Sequence, residues 1–501
     1  MADRHGNDAL IEPRTAVLWN GDPPPSDVVD ALRTRGLLAE PLSTVGPDDL
    51  NKACATVFWA DGKTASQIIV GVKGFAKDCV SHGHSVIVRC DEAVCKIVRS
   101  LPGSEHWQFV SLDIDCQILA EHLRKGLVEA GPPATGPEPE GELDLSPEDL
   151  ILFRRAFWDC DIARVKEMKE GRSSARVFRV HARRKNKQPP GYLLPFLVKI
   201  DTKEEIEKEK KNYINFVEGH VPFTQRPNFS AARSISTPTR AIMVSDFVDE
   251  AHSLVEVCRR PESRDVLYSL FDDALRSWRR DAFRGDVDPP VLPITTYLRS
   301  VVKPAEILPQ VLAKGGRLGL KATADDLLDR LEAVSVFPYR IGTIHGDLHP
   351  GNVMVRRQEA ILIDFALVWD KRPIIADLAC LEVAACFTVA SDAVSRSDKQ
   401  LNRAEYLIWK DELRKLFDCK CLNHVPPLQE PGPRDWLWTL CRQTRSMADQ
   451  TDASKAAYAS ALVIYLLRRA RLSTPSEHPA IGAHALVIAE NIVEGLEKGR
   501  I

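Results

Sequence analysis

The segment IGTIHGDLHPGNVMVRRQEAILIDFALV, residues 341–368, constrains the fold of this chain more than any other. An apolar run enters the polar loop HGDLHPGN, and two further apolar runs follow, Val353–Val355 and Ala360–Ile363, separated by Arg356–Glu359. That pattern predicts a strand, a tight loop and a β-hairpin. Pairing the two later runs carries Asn352 and Asp364 to the same open end of the hairpin. Asp347 lies on the loop that enters it. One short piece of chain is therefore expected to gather two carboxylates and an amide.

Such a set of oxygens suits a highly charged phosphoryl group, whose transfer depends mainly on positioning and electrostatic stabilisation. Asp364 is expected to coordinate Mg²⁺, with Asn352 supplying a neutral oxygen, because Mg²⁺ prefers hard ligands. Asp347 is expected to orient an acceptor hydroxyl and take its proton. HGDLHPGNVMV followed by ILIDF resembles the catalytic segment of the aminoglycoside phosphotransferase and choline kinase family, a branch of the protein-kinase-like fold. The resemblance implies that His345 and His349 shape the loop by hydrogen bonds. It also implies that Asp377, in Asp377-Leu378-Ala379, caps the next helix and braces the loop. The stretch from Asp364 to Asp377 is short and lacks an Ala-Pro-Glu segment, which favours a small-molecule kinase architecture over an ordinary protein kinase.

An amino-terminal lobe has to supply a lysine, a phosphate-covering turn and a hinge. Tyr192–Ile200 (YLLPFLVKI) reads as a buried strand carrying Lys199, and a charge there is costly unless paired. Lys203–Glu218 reads as a helix with Ile206, Tyr213 and Val217 on one face. Glu209 beside that stripe is the expected partner of Lys199, with Glu205 the second choice. By the resemblance, Lys199 holds nucleotide phosphates. Gly171, Ser173 and Ser174, in GRSSARVFRV, stand where the nucleotide-covering turn belongs, with one glycine in place of the three of a protein kinase. Ala241–Val248 reads as the strand into the hinge, whose backbone at Asp246, Phe247 and Val248 would meet the adenine edge. Helical patterns at Leu254–Phe283 and Thr296–Val336 resemble the insertion that shapes acceptor pockets in aminoglycoside phosphotransferases. Further amphipathic runs occur near 378–393, 402–417, 435–448, 453–471 and 482–498.

Before residue 130 the apolar runs Thr15–Trp19, Thr56–Trp59, Ser85–Arg89 and Gln108–Leu112, with a weaker one near Glu40–Leu42, alternate with helical patterns. Continuous apolar strands separated by helices imply a parallel sheet covered on both faces. The layout resembles a response-regulator receiver domain, with Asp61 in the phosphoacceptor position and Asp22 as an acidic partner. Cys90 ends the fourth strand where a Ser or Thr is expected, and no Lys follows the last strand, so a degenerate, partner-binding module is the expected reading.

The expected architecture is an α/β doubly wound, flavodoxin- or receiver-like domain over 1–130 and a Pro/Gly/Glu-rich linker over 131–149. An α+β bilobal protein-kinase-like domain follows, with its N-lobe at 150–250 and a large helical C-lobe at 251–501. A net charge of -3 gives no basic excess for nucleic acid. The 12 cysteines form no C-x-x-C pair and read as thiols in a reducing compartment. Cys419, Cys421 and His424 lack a fourth ligand and read as structural. The opening residues carry no apolar run and the longest greasy stretch, Ala461–Leu467, is short for a membrane span, so a cytoplasmic location is expected. The sequence thus implies an ATP- and Mg²⁺-dependent phosphotransferase acting on a small hydroxyl-bearing acceptor. A nucleotide-binding pseudokinase or signalling adaptor, and a kinase for a protein partner recruited through residues 1–130, stand as alternatives.

Overall fold

The computed structural model describes residues 16–21, 23–34, 37–44, 55–60, 62–81, 85–100, 107–128, 136–168, 175–184, 194–237, 239–260, 266–284, 288–393, 403–425 and 434–501. The chain forms two compact units, Met1–Lys210 with Asn228–Asp249, and Lys211–Pro227 with Glu250–Ile501.

The first unit opens with strands β1 (Ala16–Gly21), β2 (Leu38–Pro41), β3 (Ala55–Trp59), β4 (Ser85–Cys90) and β5 (Trp107–Ser111). They form a parallel sheet in the order β2-β1-β3-β4-β5. The connecting helices are α1 (Ser26–Thr34), α2 (Ala65–Ser81), α3 (Glu92–Arg99) and α4 (Cys116–Val128). Side chains of a strand alternate between faces. Val57 and Trp59 of β3 accordingly join Leu32 of α1 and Leu119 of α4, while Phe58 joins Ile68 and Val72 of α2 and Val98 of α3. Both faces are covered, which is why these strands read as unbroken apolar runs. Asp22 and Asp61 lie outside the described residues. Cys90 is buried at the end of β4, and burial pushes its thiol up to about 11.

The second sheet of this unit contains β6 (Glu138–Pro139), β7 (Cys160–Met168), β8 (Arg176–Arg184), β9 (Leu194–Thr202) and β10 (Arg240–Asp246), in the order β10-β9-β8-β7-β6. Its pairs are antiparallel except β6 with β7. Helix α5 (Pro147–Ala156), capped by the Ser146 hydroxyl on Asp149 N–H, packs Leu152, Phe153 and Ala156 against Val165, Phe178, Val180 and Val198. Part of the expected linker is thus structured. Leu143 and Leu145 pack on this core, and the Glu140 N–H donates to Val165 O at 2.8 Å. Two apolar anchors outweigh the Pro/Gly/Glu composition around them. Helix α6 (Lys203–Asn212) ends earlier than its periodicity suggests and widens into a π turn over Tyr213–Val217.

The second unit holds β11 (His252–Ser253), the pair β12 (Val291–Pro293) and β13 (Val336–Pro338), then β14 (Ile341–Ile344), β15 (Val353–Arg356), β16 (Glu359–Leu362) and β17 (Trp369–Pro373). Longer helices surround them: α7 (Thr295–Val302), α8 (Pro309–Arg317), α9 (Ala324–Val334), α10 (Ile375–Ala393), α11 (Arg403–Leu416), α12 (Asp435–Asp449), α13 (Lys455–Arg471) and α14 (Pro479–Glu497). The helical stretch expected over Thr296–Val336 is divided at Lys303, whose φ of 49° turns the chain, and at Pro304 and Pro309. The greasy run Ala461–Leu467 lies inside α13, buried on all sides. Among the described residues no helix is long and apolar enough to cross a membrane.

One polar cluster ties the helices together. Glu382 of α10, fully buried, receives Arg445 Nη2 at 2.5 Å, Thr444 Oγ1 at 2.9 Å and Tyr458 Oη at 2.9 Å. Removing one member leaves a buried charge without its partner. Arg445→Met is expected to lower stability by roughly 3–5 kcal/mol, read from the midpoint and slope of urea unfolding.

Candidate active site

β15 and β16 pair with Val353 opposite Leu362 and Arg356 opposite Glu359. The turn between them is Arg357-Gln358, both at positive φ (51° and 67°), the backbone of a two-residue hairpin turn. The register places Asn352 opposite Ile363, whose N–H donates to Asn352 O at 3.0 Å. Asp364 comes next, exposed and at φ 62°, a left-handed conformation that Asp tolerates better than most residues. The Asn352 amide nitrogen donates to Asp347 O at 3.0 Å, and the His349 N–H reaches the same carbonyl at 2.8 Å. With its nitrogen committed to that carbonyl, the buried Asn352 side chain is held in one orientation. The turn after Asp364 is clamped by Asn212, whose amide nitrogen donates to Phe365 O at 3.2 Å and Ala366 O at 3.1 Å.

The loop is braced from α10. Asp377 lies within the first turn of that helix and does not cap it. Its two carboxylate oxygens accept from the His345 N–H (2.7 Å) and the Gly346 N–H (3.0 Å). A cap needs the residue ahead of the helix, and the backbone has already turned helical at Ile375. Burial pushes the Asp377 carboxyl up, against the pull of His345 and the two N–H donors. His345 Nε2 meets Ile363 O at 3.1 Å, which joins the loop to the hairpin, and His349 Nδ1 accepts from the Gly351 N–H at 3.0 Å. Gly346 stands at φ +77°, and a methyl group there would meet Leu367 O at 2.0 Å.

Asp347 has a partner that sequence reasoning missed. Arg468 Nη2, near the end of α13, lies 2.7 Å from Asp347 Oδ1, and the Arg468 side chain is only 9% exposed. His349 Nε2 is 3.9 Å from the other carboxylate oxygen. The pairing spans 121 residues, and its one trace in the sequence is the arginine cluster Arg468, Arg469 and Arg471 that ends a largely apolar helix.

In the first unit Lys199 Nζ lies 2.8 Å from Glu209 Oε2, with the two side chains 17% and 6% exposed. Glu205 instead approaches Lys208 at 3.7 Å. Gly171, Ser173 and Ser174 lie outside the described residues. The strand β10 stops at Asp246. The N–H groups of Asp246 and Phe247 already donate to Asn228 O (3.0 Å) and Pro195 O (3.4 Å), and the Asp246 carboxylate accepts from Asn228 Nδ2 at 3.0 Å. Val248 is half-buried, and its N–H has no partner among the described residues.

Asp364 and Asn352 are hard oxygen donors on adjoining turns, one exposed and one oriented. They fit Mg²⁺, which proteins usually hold through one or two side chains together with waters and substrate phosphates. Among the described residues there is no cluster of three or more His, Cys, Asp or Glu side chains placed to hold a metal.

Residues 316–470 match the family described as Ternary complex associated domain 9. No curated protein matches the chain. Solved structures similar to it include a glucosamine kinase, 13% identical over 68% of this chain and 79% of that one, with a TM-score of 0.36. Another is a thermostable mutant of the aminoglycoside phosphotransferase APH(4)-Ia, 12% identical over 66% of this chain and 94% of that one, TM-score 0.32. A further form of that mutant, in ternary complex with AMP-PNP and hygromycin B, is 11% identical over 62% and 92%, TM-score 0.30.

The brace is testable through its glycine. Gly346→Ala places a methyl group against backbone that cannot swing aside. It should cost at least about 2 kcal/mol of stability by urea unfolding. Gly319→Ala, also at positive φ but with open space around it, should cost less.

Proposed function

We propose that the chain is an ATP- and Mg²⁺-dependent phosphotransferase of protein-kinase-like fold that moves the γ-phosphoryl group to a hydroxyl of a small molecule. The observation that carries this reading is the convergence of Asp347, Asn352 and Asp364 on one braced hairpin, with Arg468 fixing the first of them.

In this reading Asp347 takes the proton of the acceptor hydroxyl on Oδ2, the oxygen that Arg468 leaves available. Arg468 is a positioning residue that holds the carboxylate in one rotamer. Asn352, through its amide oxygen, and Asp364 hold Mg²⁺, which when bound neutralises phosphate charge. Lys199, oriented by Glu209, holds nucleotide phosphates. The Val248 N–H and the carbonyls around Asp246 and Phe247 meet the adenine edge. Transfer governed by positioned charge needs no covalent intermediate on the protein.

The Arg468 contact also supports a second reading, a nucleotide-binding pseudokinase whose would-be base is held in an ion pair. Arg468→Ala separates the two. A positioning role predicts a fall in transfer with little change in nucleotide affinity, whereas a masked base predicts a rise.

Asp364→Ala should abolish the Mg²⁺-dependent thermal shift produced by ATP. Asp347→Ala should keep that shift and lose transfer of labelled γ-phosphate into a metabolite extract by about 10²-fold or more. Two variants as active as the parent chain would remove the assigned roles.

A further inference from the structure

Asp364, the exposed carboxylate of the hairpin, occupies a left-handed backbone conformation that an L residue leaves unless its neighbours hold it there. Within its own turn the contacts are long. One Asp364 carboxylate oxygen accepts from the Ala366 N–H at 3.4 Å, and the Val368 N–H reaches Phe365 O at 3.3 Å. A shorter pair of bonds comes from the end of α6. Asn212, the last residue of that helix, donates through its amide nitrogen to Phe365 O at 3.2 Å and to Ala366 O at 3.1 Å. Two carbonyl acceptors settle which end of the amide faces the turn. Phe365 and Ala366 directly follow Asp364, so a change in its φ or ψ would have to carry both carbonyls off Asn212.

Asn212 is itself held. Directly after it α6 widens into the π turn Tyr213–Val217, where the Glu218 N–H returns to Tyr213 O at 2.9 Å. Such turns are rare in helices and are found frequently at functional sites. Tyr213 is anchored on two sides. Its hydroxyl donates to Pro227 O at 2.9 Å, and the Arg226 guanidinium lies 5.2 Å from its ring centre. An asparagine in a helix tends to seek backbone partners with its side chain, and here it finds them on another segment of the second unit. The ring of Phe365, 3% exposed, packs 5.8 Å from Tyr213 and 5.6 Å from His345. Packing therefore fixes the Phe365 side chain, and Asn212 fixes the backbone on either side of it.

We propose that Asn212 is a positioning residue for the cation: it holds the turn after Asp364 so that this carboxylate is presented to Mg²⁺, and it supplies no ligand itself. The inference rests on the phosphotransferase reading, in which Asp364 holds Mg²⁺, and adds to it a residue outside the hairpin. Loss of the clamp frees the Asp364 backbone to relax from its left-handed conformation. The metal-dependent part of nucleotide binding then weakens, while the part that needs no metal stays.

Calorimetric titration of the full chain with AMP-PNP, once in EDTA and once in excess MgCl₂, tests it. Mg²⁺ should tighten AMP-PNP binding by the parent chain. Asn212→Leu, close in size but without either donor, should lose about tenfold of that gain, while its affinity in EDTA stays within about twofold of the parent's. Should Asn212→Leu fail to fold, Asn212→Gln keeps the amide but misplaces it by one methylene, and about threefold of the gain should go. A merely structural role would lower affinity equally in EDTA and in Mg²⁺. That outcome, or an undiminished gain, would overturn the role of Asn212 and leave the phosphotransferase reading standing. A parent chain whose affinity ignores Mg²⁺ would remove that reading and this inference with it.

Discussion

The carboxylate of Asp377 is the point on which the proposed chemistry turns. It is buried, and both of its oxygens are engaged by consecutive backbone N–H groups at the start of the HGDLHPGN loop. Two consecutive amides satisfied by one rigid, buried group leave the loop a single way to leave β14. The left-handed Gly346 is a consequence of that constraint, because the chain must turn sharply against Leu367 to present both amides. A helix thereby fixes where the loop begins, and His345 fixes where it meets the hairpin.

Asp347 gains its geometry from the same loop but its charge environment from elsewhere. Its carbonyl holds the Asn352 amide, so Asp347 and Asn352 are fixed relative to one another through backbone rather than through a flexible side chain. Its carboxylate is held by Arg468, from a helix buried from Ala456 to Ala470. An arginine so deeply enclosed keeps its position only because it is paired. The two ends of one residue therefore answer to two parts of the second unit, which makes the rotamer of Asp347 a property of the whole helical assembly.

Much of the hairpin was legible in the sequence because both signals that define it are local. Alternating apolar runs set the strands, and the spacing of Asn352 and Asp364 put them at one end. The structure moved the strand limits by one residue and narrowed the turn to Arg357-Gln358, since Arg356 and Glu359 pair across the ladder. The parallel sheet before residue 130 was equally readable, as strands covered on both faces must be apolar throughout. Lys199 with Glu209 came from helix periodicity, while Asn212 and its hold on Phe365 and Ala366 did not, because an asparagine at the end of a helix carries no mark of what it will meet.

Sequence alone determined the parallel strands before residue 130, the hairpin at 353–362 and which oxygens flank it, because those properties depend on neighbours a few residues apart. Tertiary structure alone decided that Arg468 meets Asp347, that Asp377 braces the loop from inside its helix rather than capping it, and that Asn212 clamps the turn after Asp364. These are encounters between residues tens to more than a hundred positions apart. Their energy is collected only when packed helices bring the groups together and exclude the water that would otherwise satisfy them.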